Sequence, residues 1–238
     1  MNRLRIIGRL TAIILGLAIA LIIHGIWRLF CLPSPWPRLF LGYVGRVVGA
    51  RTRTLGIPLR RDVVFLANHL SWIDILLLAG RTGAVFVAKQ ELASVPVIGW
   101  LCTLNRTLFV ARADRLGVAD QIDRLRAALA QGWAVTIFPE GTTGDGHTIL
   151  PFKPTLLAAL SPPPPGIKVQ PVRIDYGDAT DEIAWVGDEP GQSHALRVLA
   201  RRGTFTATLD FREPFAPEGD RKAIAAEARA RIEARRED

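Results

Sequence analysis

At 238 residues and 49% hydrophobic content, the chain has ample material for one catalytic domain with a buried core and a membrane-binding segment. The net charge of +8 is nearly all Arg, since Lys stands only at 89, 153, 168 and 222; it favours anionic partners such as phospholipid headgroups, phosphorylated substrates or nucleic acid, and an Arg-rich coding bias accounts for it equally well. The two cysteines, Cys31 and Cys102, form no CxxC pair, which excludes a zinc ribbon and a dithiol redox motif.

From Leu10 to Ile26 the chain is almost wholly apolar, about the length a helix needs to cross a hydrocarbon core. Arg3, Arg5 and Arg9 precede this run and predict a cytoplasmic N-terminus. Trp27, Arg28 and Phe30 follow it where a signal peptide would carry small residues, so an uncleaved anchor is expected. Arg28, Arg38, Arg46, Arg51 and Arg53 lie beyond, and charge on both flanks also fits a helix that enters one leaflet and returns. Pro33, Pro35 and Pro37 break the chain direction, and residues 38–49 read as a second helix lying against the membrane.

From residue 62 onward, short apolar runs alternate with helical patterns. Strands are expected at Asp62–Ala67, Ala84–Ala88, Thr107–Ala111, Trp133–Phe138, Ile167–Ile174 and Thr204–Phe211. Helices are expected at Ser71–Ala79, with Ser71 as N-cap and Asp74 as its box-like partner, and at Val95–Leu104, Asp120–Gln131, Thr155–Leu160 and Glu218–Arg236. The last of these is so charged that it reads as a solvated face. This rhythm implies an α/β domain with a mixed, largely parallel sheet flanked by helices. In such sheets functional residues gather in the loops at strand ends, where His69, Arg112 and Glu140 fall.

Three groups of residues carry chemistry. His69 is the general-base candidate, because an imidazole titrates near neutrality. Asp74 lies five positions on, and a loop reversal would let its carboxylate fix the tautomer and stabilise the imidazolium; the same Asp also serves simply as a charge at a helix N-terminus. The Gly-rich run Glu140-Gly141-Thr142-Thr143-Gly144-Asp145-Gly146 offers amides and hydroxyls to an anion, although it is neither a P-loop nor a GxGxxG turn and also reads as a plain loop. Arg112 ends an apolar strand and is placed to clamp a phosphate, or is one surface Arg among many.

In order along the chain stand Asn68-His69-Leu70-Ser71-Trp72-Ile73-Asp74, an apolar run ending in Arg112, Phe138-Pro139-Glu140-Gly141-Thr142, and Val169-Gln170-Pro171-Val172. This ordered set resembles the glycerolipid acyltransferases of the lysophosphatidic acid acyltransferase type, over about residues 60–215, and the N-terminal apolar helices match as well. The resemblance implies a membrane anchor with an interfacial helix over residues 1–55 and a catalytic domain over 56–238. It implies that His69 is the catalytic base and Asp74 its partner, that Arg112 binds the acceptor's phosphate, and that Glu140, Gly141 and Thr142 belong to the acceptor-binding motif.

The reaction implied is transfer of a fatty acyl group from acyl-CoA or acyl-carrier protein to the free hydroxyl of 1-acylglycerol-3-phosphate, with no cofactor and no metal. The expected place is the inner, cytoplasmic membrane, with the catalytic domain on the cytoplasmic side. Two departures bear on the acceptor. Arg106 stands where the family's second motif usually opens with Gly, and Thr143 stands where an Arg often follows EGT. The run EGTTGDG and the later Ala184-Trp185-Val186-Gly187-Asp188 are similar to bacterial members that acylate lyso-ornithine lipid, so that acceptor is the alternative.

Two other classes compete. A metal-dependent hydrolase would draw on His69, Asp74, Asp145 and His147, but these lack a close spacing such as HExxH. A non-catalytic basic binder of membranes or nucleic acid explains the charge and leaves the ordered motifs unexplained, and the chain lacks the aromatic-basic interleaving of an RNA-binding surface. The lysophospholipid acceptor, the acyl donor and the membrane are therefore the expected partners, and nucleic acid is not.

Overall fold

A computed structural model describes residues 2–110 and 117–234. Its seven strands are β1 (Ala50–Leu55), β2 (Val63–Ala67), β3 (Val85–Lys89), β4 (Leu108–Val110), β5 (Ala134–Ile137), β6 (Lys168–Asp175) and β7 (Phe205–Phe211). They form one sheet in the order β1-β7-β6-β2-β5-β3-β4. The five strands from β6 to β4 run parallel; β7 is antiparallel to β6, and β1 runs parallel to β7. The mixed, largely parallel sheet expected from the sequence is present.

The centre of the sheet follows from composition. Every residue of β2 is buried, so the strand needs apolar side chains on both faces rather than alternation. Phe65 packs with α3 (Ile73–Thr82) in one core, while Val64 and Leu66 pack with α5 (Val118–Ala130) and α8 (Arg221–Glu233) in the other. Each such side chain contributes about 1.5–3 kcal/mol on leaving water.

β1 escapes the apolar criterion. Its sequence Ala-Arg-Thr-Arg-Thr-Leu is exposed at Arg51, Thr52 and Arg53, as befits an edge strand that must not pair with another chain. The division expected at residue 55 therefore falls at the end of a strand that belongs to the sheet.

Two helices open the chain: α1 (Asn2–Leu29) and α2 (Trp36–Val47). α2 lies on α3, with Gly80 so close to Gly42 that a Cβ on Gly80 would stand 2.6 Å from the Gly42 Cα. Tyr43 of α2 donates to the Ala12 carbonyl of α1 at 3.0 Å. At its start α1 is tied to the end of α7 (Gly191–Ala200): Arg5 donates to the Ala200 carbonyl, and Arg9 donates to Val198 and Leu199 at 3.1 Å each. These guanidinium groups sit at the negative end of the α7 dipole. At its far end Trp27 meets Trp36 edge to face at 6.4 Å, and His24 Nδ1 lies 2.7 Å from the Ser34 hydroxyl. Between these ends Leu17 and Leu21 line a groove shared with Phe40 of α2 and with Leu101 and Leu104 of α4 (Ile98–Leu104).

Several expectations shift. The helix expected at Val95–Leu104 begins at Ile98; Val95, Val97, Ile98 and Trp100 are exposed, and within α4 only Gly99 is buried. The charged terminal helix is not a plain solvated face, because Ile224, Ala225, Ala228 and Ile232 of α8 are buried. Thr155–Leu160 is reduced to a 3₁₀ turn over Leu156–Leu160, and α6 (Thr180–Ile183) and α7 have no counterpart among the expected elements.

Candidate active site

The parallel strands end on one edge of the sheet, and β2, β5 and β6 are neighbours there. Asn68 follows β2 directly. Its side-chain amide donates to the Ile174 carbonyl at 2.9 Å and accepts from the Ile174 amide at 2.7 Å. The side chain thus extends the ladder to β6 by one step, and His69 leaves the sheet at a fixed point.

His69 Nδ1 lies 2.8 Å from Asp74 Oδ2. That same oxygen accepts the Leu70 amide at 2.7 Å and the Ser71 amide at 2.9 Å. Ser71 is not the N-cap, a position Trp72 takes: the Ser71 hydroxyl accepts the Ile73 amide at 3.4 Å, and Asp74 in the first turn of α3 reaches back to the amides of the preceding loop. Both readings of Asp74, helix-end charge and imidazole partner, hold at once. With Nδ1 committed to a carboxylate, the tautomer carries its proton there, and Nε2 is left as the acceptor. The His69 side chain is 18% exposed and that of Asp74 is 0%, so the imidazole meets the outside while the carboxylate does not.

The loop after β5 holds His69 from the other side. Phe138 stacks on the imidazole at 4.0 Å with 13° between planes. Glu140 accepts the His69 amide at 2.8 Å and the Leu150 amide at 3.0 Å, one on each carboxylate oxygen. The Gly144 amide donates to the His69 carbonyl at 2.7 Å. Both sides of the His69 peptide unit are thereby tied to the 138–144 loop. Glu140 is only 3% exposed, and its burial pushes the carboxyl up to about 7 against the pull of the two amides. Its carboxylate is a buried tie between segments and is not presented at the surface.

The remaining candidates divide. Gly141 follows Glu140 with φ +74, and the exposed Lys153 lies close enough that a Cβ there would meet its Nζ at 3.2 Å. Thr142 is exposed on the same loop. Thr143, which stands in place of an Arg, donates its hydroxyl to the Trp185 carbonyl, and the Trp185 amide donates to the Leu70 carbonyl at 2.8 Å. Pro171 lies within β6, paired with Leu66 of β2, and Gln170 beside it accepts from the Leu59 amide at 2.9 Å. Arg112 lies outside the described residues. Arg106 holds φ +56, a conformation that glycine adopts without cost, and its guanidinium covers Trp133 at 5.0 Å. Among the described residues, no three His, Cys, Asp or Glu side chains gather as a metal centre requires.

One neighbour of the dyad has no counterpart among the sequence candidates. Tyr176 follows β6 and is 1% exposed, and its hydroxyl donates to Asp74 Oδ1. Burial, then the charge and hydrogen bond of Asp74, hold the phenol well above its ordinary value, so it stays protonated as a donor. The one signal available in the sequence was its place at the end of an apolar strand, the same kind of place that singled out His69 and Glu140.

The arrangement suits removal of a proton from a group brought to Nε2, with the resulting imidazolium stabilised by a buried carboxylate. The family model described as Acyltransferase matches residues 51–175. The chain is 34% identical over 215 residues to the lyso-ornithine lipid O-acyltransferase of Brucella abortus, a match covering 83% of this chain and 80% of that one. It is 37% identical over 199 residues to the lyso-ornithine lipid O-acyltransferase of Rhizobium meliloti, covering 76% and 66% respectively. The crystal structure of the 1-acyl-sn-glycerophosphate acyltransferase of Thermotoga maritima superposes with a TM-score of 0.65 over 100% of both chains, and at 22% identity that likeness concerns the fold. The chain belongs to the acyltransferase family, among the enzymes that acylate lysolipids.

Proposed function

We propose that the chain is an O-acyltransferase whose acceptor is lyso-ornithine lipid and whose donor is a fatty acyl thioester of CoA or acyl-carrier protein. The observation that carries the reaction is the His69–Asp74 contact of 2.8 Å, with Nε2 turned away from it. Nε2 takes the proton of the acceptor hydroxyl as that oxygen attacks the thioester carbonyl. The tetrahedral oxyanion collapses, the carbon–sulfur bond breaks, and the imidazolium returns its proton to the departing thiolate. The ester and the free thiol leave. His69 and Asp74 act on the proton, and Glu140, Phe138 and Gly144 keep the imidazole in place.

The acceptor rests on two supports. The Brucella and Rhizobium relatives carry that activity in their names, at 34% and 37% identity. Thr143, at the position where an Arg often stands, has its hydroxyl committed to Trp185, so the loop lacks one cation for a phosphate. A second reading, lysophosphatidic acid as acceptor, is favoured by Lys153 beside Gly141 and by the net charge of +8. Arg112 and Thr142 belong to the acceptor side in either reading.

The proposed setting is one leaflet of the inner membrane, with the catalytic domain on the cytoplasmic side. α1 is long and apolar enough to cross a bilayer. It is nevertheless held by α7 at its start, by Tyr43 in its middle and by Trp36 at its end. Its exposed stripe, including Ile7, Ile14, Ile22 and Leu29, then faces the acyl chains while the other side stays on the protein.

Purified protein in detergent, offered lyso-ornithine lipid and lysophosphatidic acid side by side with each donor, tests this reading. Acylation of lyso-ornithine lipid is expected, and His69→Ala is expected to lower kcat by about 10²–10⁴-fold. Acylation of lysophosphatidic acid alone would transfer the proposal to the second acceptor. Full activity in His69→Ala would remove the mechanism.

A further inference from the structure

Asp74 is a carboxylate with no exposed surface, and each of its oxygens has a distinct duty. Oδ2 receives His69 Nδ1 and the Leu70 and Ser71 amides. Oδ1 receives the hydroxyl of Tyr176, which follows β6, the strand beside β2, 102 positions along the chain. A buried carboxylate oxygen without a donor is costly, so the phenol is needed if Asp74 is to remain ionised in place. The phenol ring is itself fixed: it is buried and meets Phe205 edge to face at 5.7 Å.

We propose that Tyr176 is a positioning residue for acyl transfer, which orients the Asp74 carboxylate toward His69 Nδ1 and moderates its basicity by donating to Oδ1. Two consequences follow from simple electrostatics. Rotation of the carboxylate about its Cβ–Cγ bond would carry Oδ2 off the imidazole, and the phenol opposes that rotation from the opposite oxygen. A donor on Oδ1 also draws negative charge from the carboxylate, which weakens its hold on the imidazolium. Another ionisable group beside His69 is Glu140, on its backbone amide. Glu140 titrates near 7, so the acid limb of any pH–rate profile must be read with it in mind.

This inference rests on His69 being the base. Tyr176→Phe keeps the ring and its contact with Phe205 while removing the donor. Its kcat is expected to fall by about 10-fold. The acid limb of its kcat/KM profile is expected to move up by about half a pH unit, with acceptor KM within about twofold of the parent. The upward shift must persist when the comparison is made in Glu140→Gln. In an Asp74→Asn background, Tyr176→Phe is expected to cost little more, since the oxygen it serves no longer carries the charge. A parent-like kcat and acid limb in Tyr176→Phe would overturn the proposal, as would a loss of kcat with an unmoved limb. Activity retained in His69→Ala would instead overturn the underlying reading of the site.

Should Tyr176→Phe fail to fold, a gentler variant gives the same answer. The chain has two tyrosines, Tyr43 and Tyr176, so growth on 3-fluorotyrosine in Tyr43→Phe labels position 176 alone. The fluorinated phenol is a stronger acid and a stronger donor. The acid limb is then expected to move down, opposite to the shift in Tyr176→Phe, and an unmoved limb would refute the proposal.

Discussion

Glu140 shows how far a residue's role depends on its surroundings. In the sequence it is the acid of an EGT loop and reads as a group that touches the acceptor. In the folded chain it is buried and serves the backbone of His69 and Leu150. Burial holds its carboxyl at about 7, above the roughly 4.3 of an unfolded glutamate. Between those values the folded state binds the extra proton, so this group's contribution to stability falls as pH rises through that window and is level above it. Glutamine does not titrate and offers only one acceptor oxygen to two amides. Glu140→Gln is therefore expected to destabilise by about 1–3 kcal/mol, with a larger deficit against the parent at pH 5 than at pH 8. Melting temperatures of the two proteins in detergent at both pH values check this, and equal deficits would mean that the carboxyl is not shifted. The His69–Asp74 pair was legible through the ordered motifs it belongs to, whereas its spacing alone left Asp74 a plain helix-end charge. Tyr176 was not, because nothing local ties it to Asp74.

At the scale of elements, apolar runs identified six of the seven strands, including the half-buried edge strand β4, and failed at the solvent-exposed edge β1. β1 carries Arg and Thr because one side of it meets solvent, and α8 looks wholly charged because its buried stripe is made of small Ala residues and two Ile. Helix packing makes its own demand at α2 and α3. A Cβ on Gly80 would meet the Gly42 backbone at 2.6 Å, whereas a Cβ on Gly42 would meet Gly80 at an ordinary 3.5 Å. Gly80→Ala is thus expected to push the helices apart at a cost of about 1–3 kcal/mol. Gly42→Ala should be neutral or stabilising by up to about 1 kcal/mol through helix propensity. Denaturant or thermal unfolding of the two variants separates them, and equal effects would argue against this close crossing. α3 itself ends as its sequence directs, with Gly83 at φ +75 returning its amide to the Ala79 carbonyl at 2.8 Å.

Across the whole molecule, α1 is tied to the domain that carries the sheet: Arg5 and Arg9 donate to carbonyls at the end of α7. If the helix lies in one leaflet, its start and the surface of α8 face the same compartment. With Cys31 and Cys102 replaced by Ser, cysteines introduced as Asn2→Cys and Lys222→Cys should react with an impermeant thiol reagent from the same side of sealed vesicles. Labelling from opposite sides would establish a spanning helix.

The sequence by itself determined the class of fold, most of the strands and helices, and the pairing of His69 with Asp74. These are local properties: an apolar period, a turn residue, or two side chains a few positions apart lie within the reach of the chain that carries them. Only the tertiary structure decided what surrounds the base. The placement of β2 between β5 and β6 brings Glu140 to the His69 amide across 71 positions and Tyr176 to Asp74 across 102. Strand order is set by which faces can be buried together over the whole sheet, and no short window of sequence contains that information.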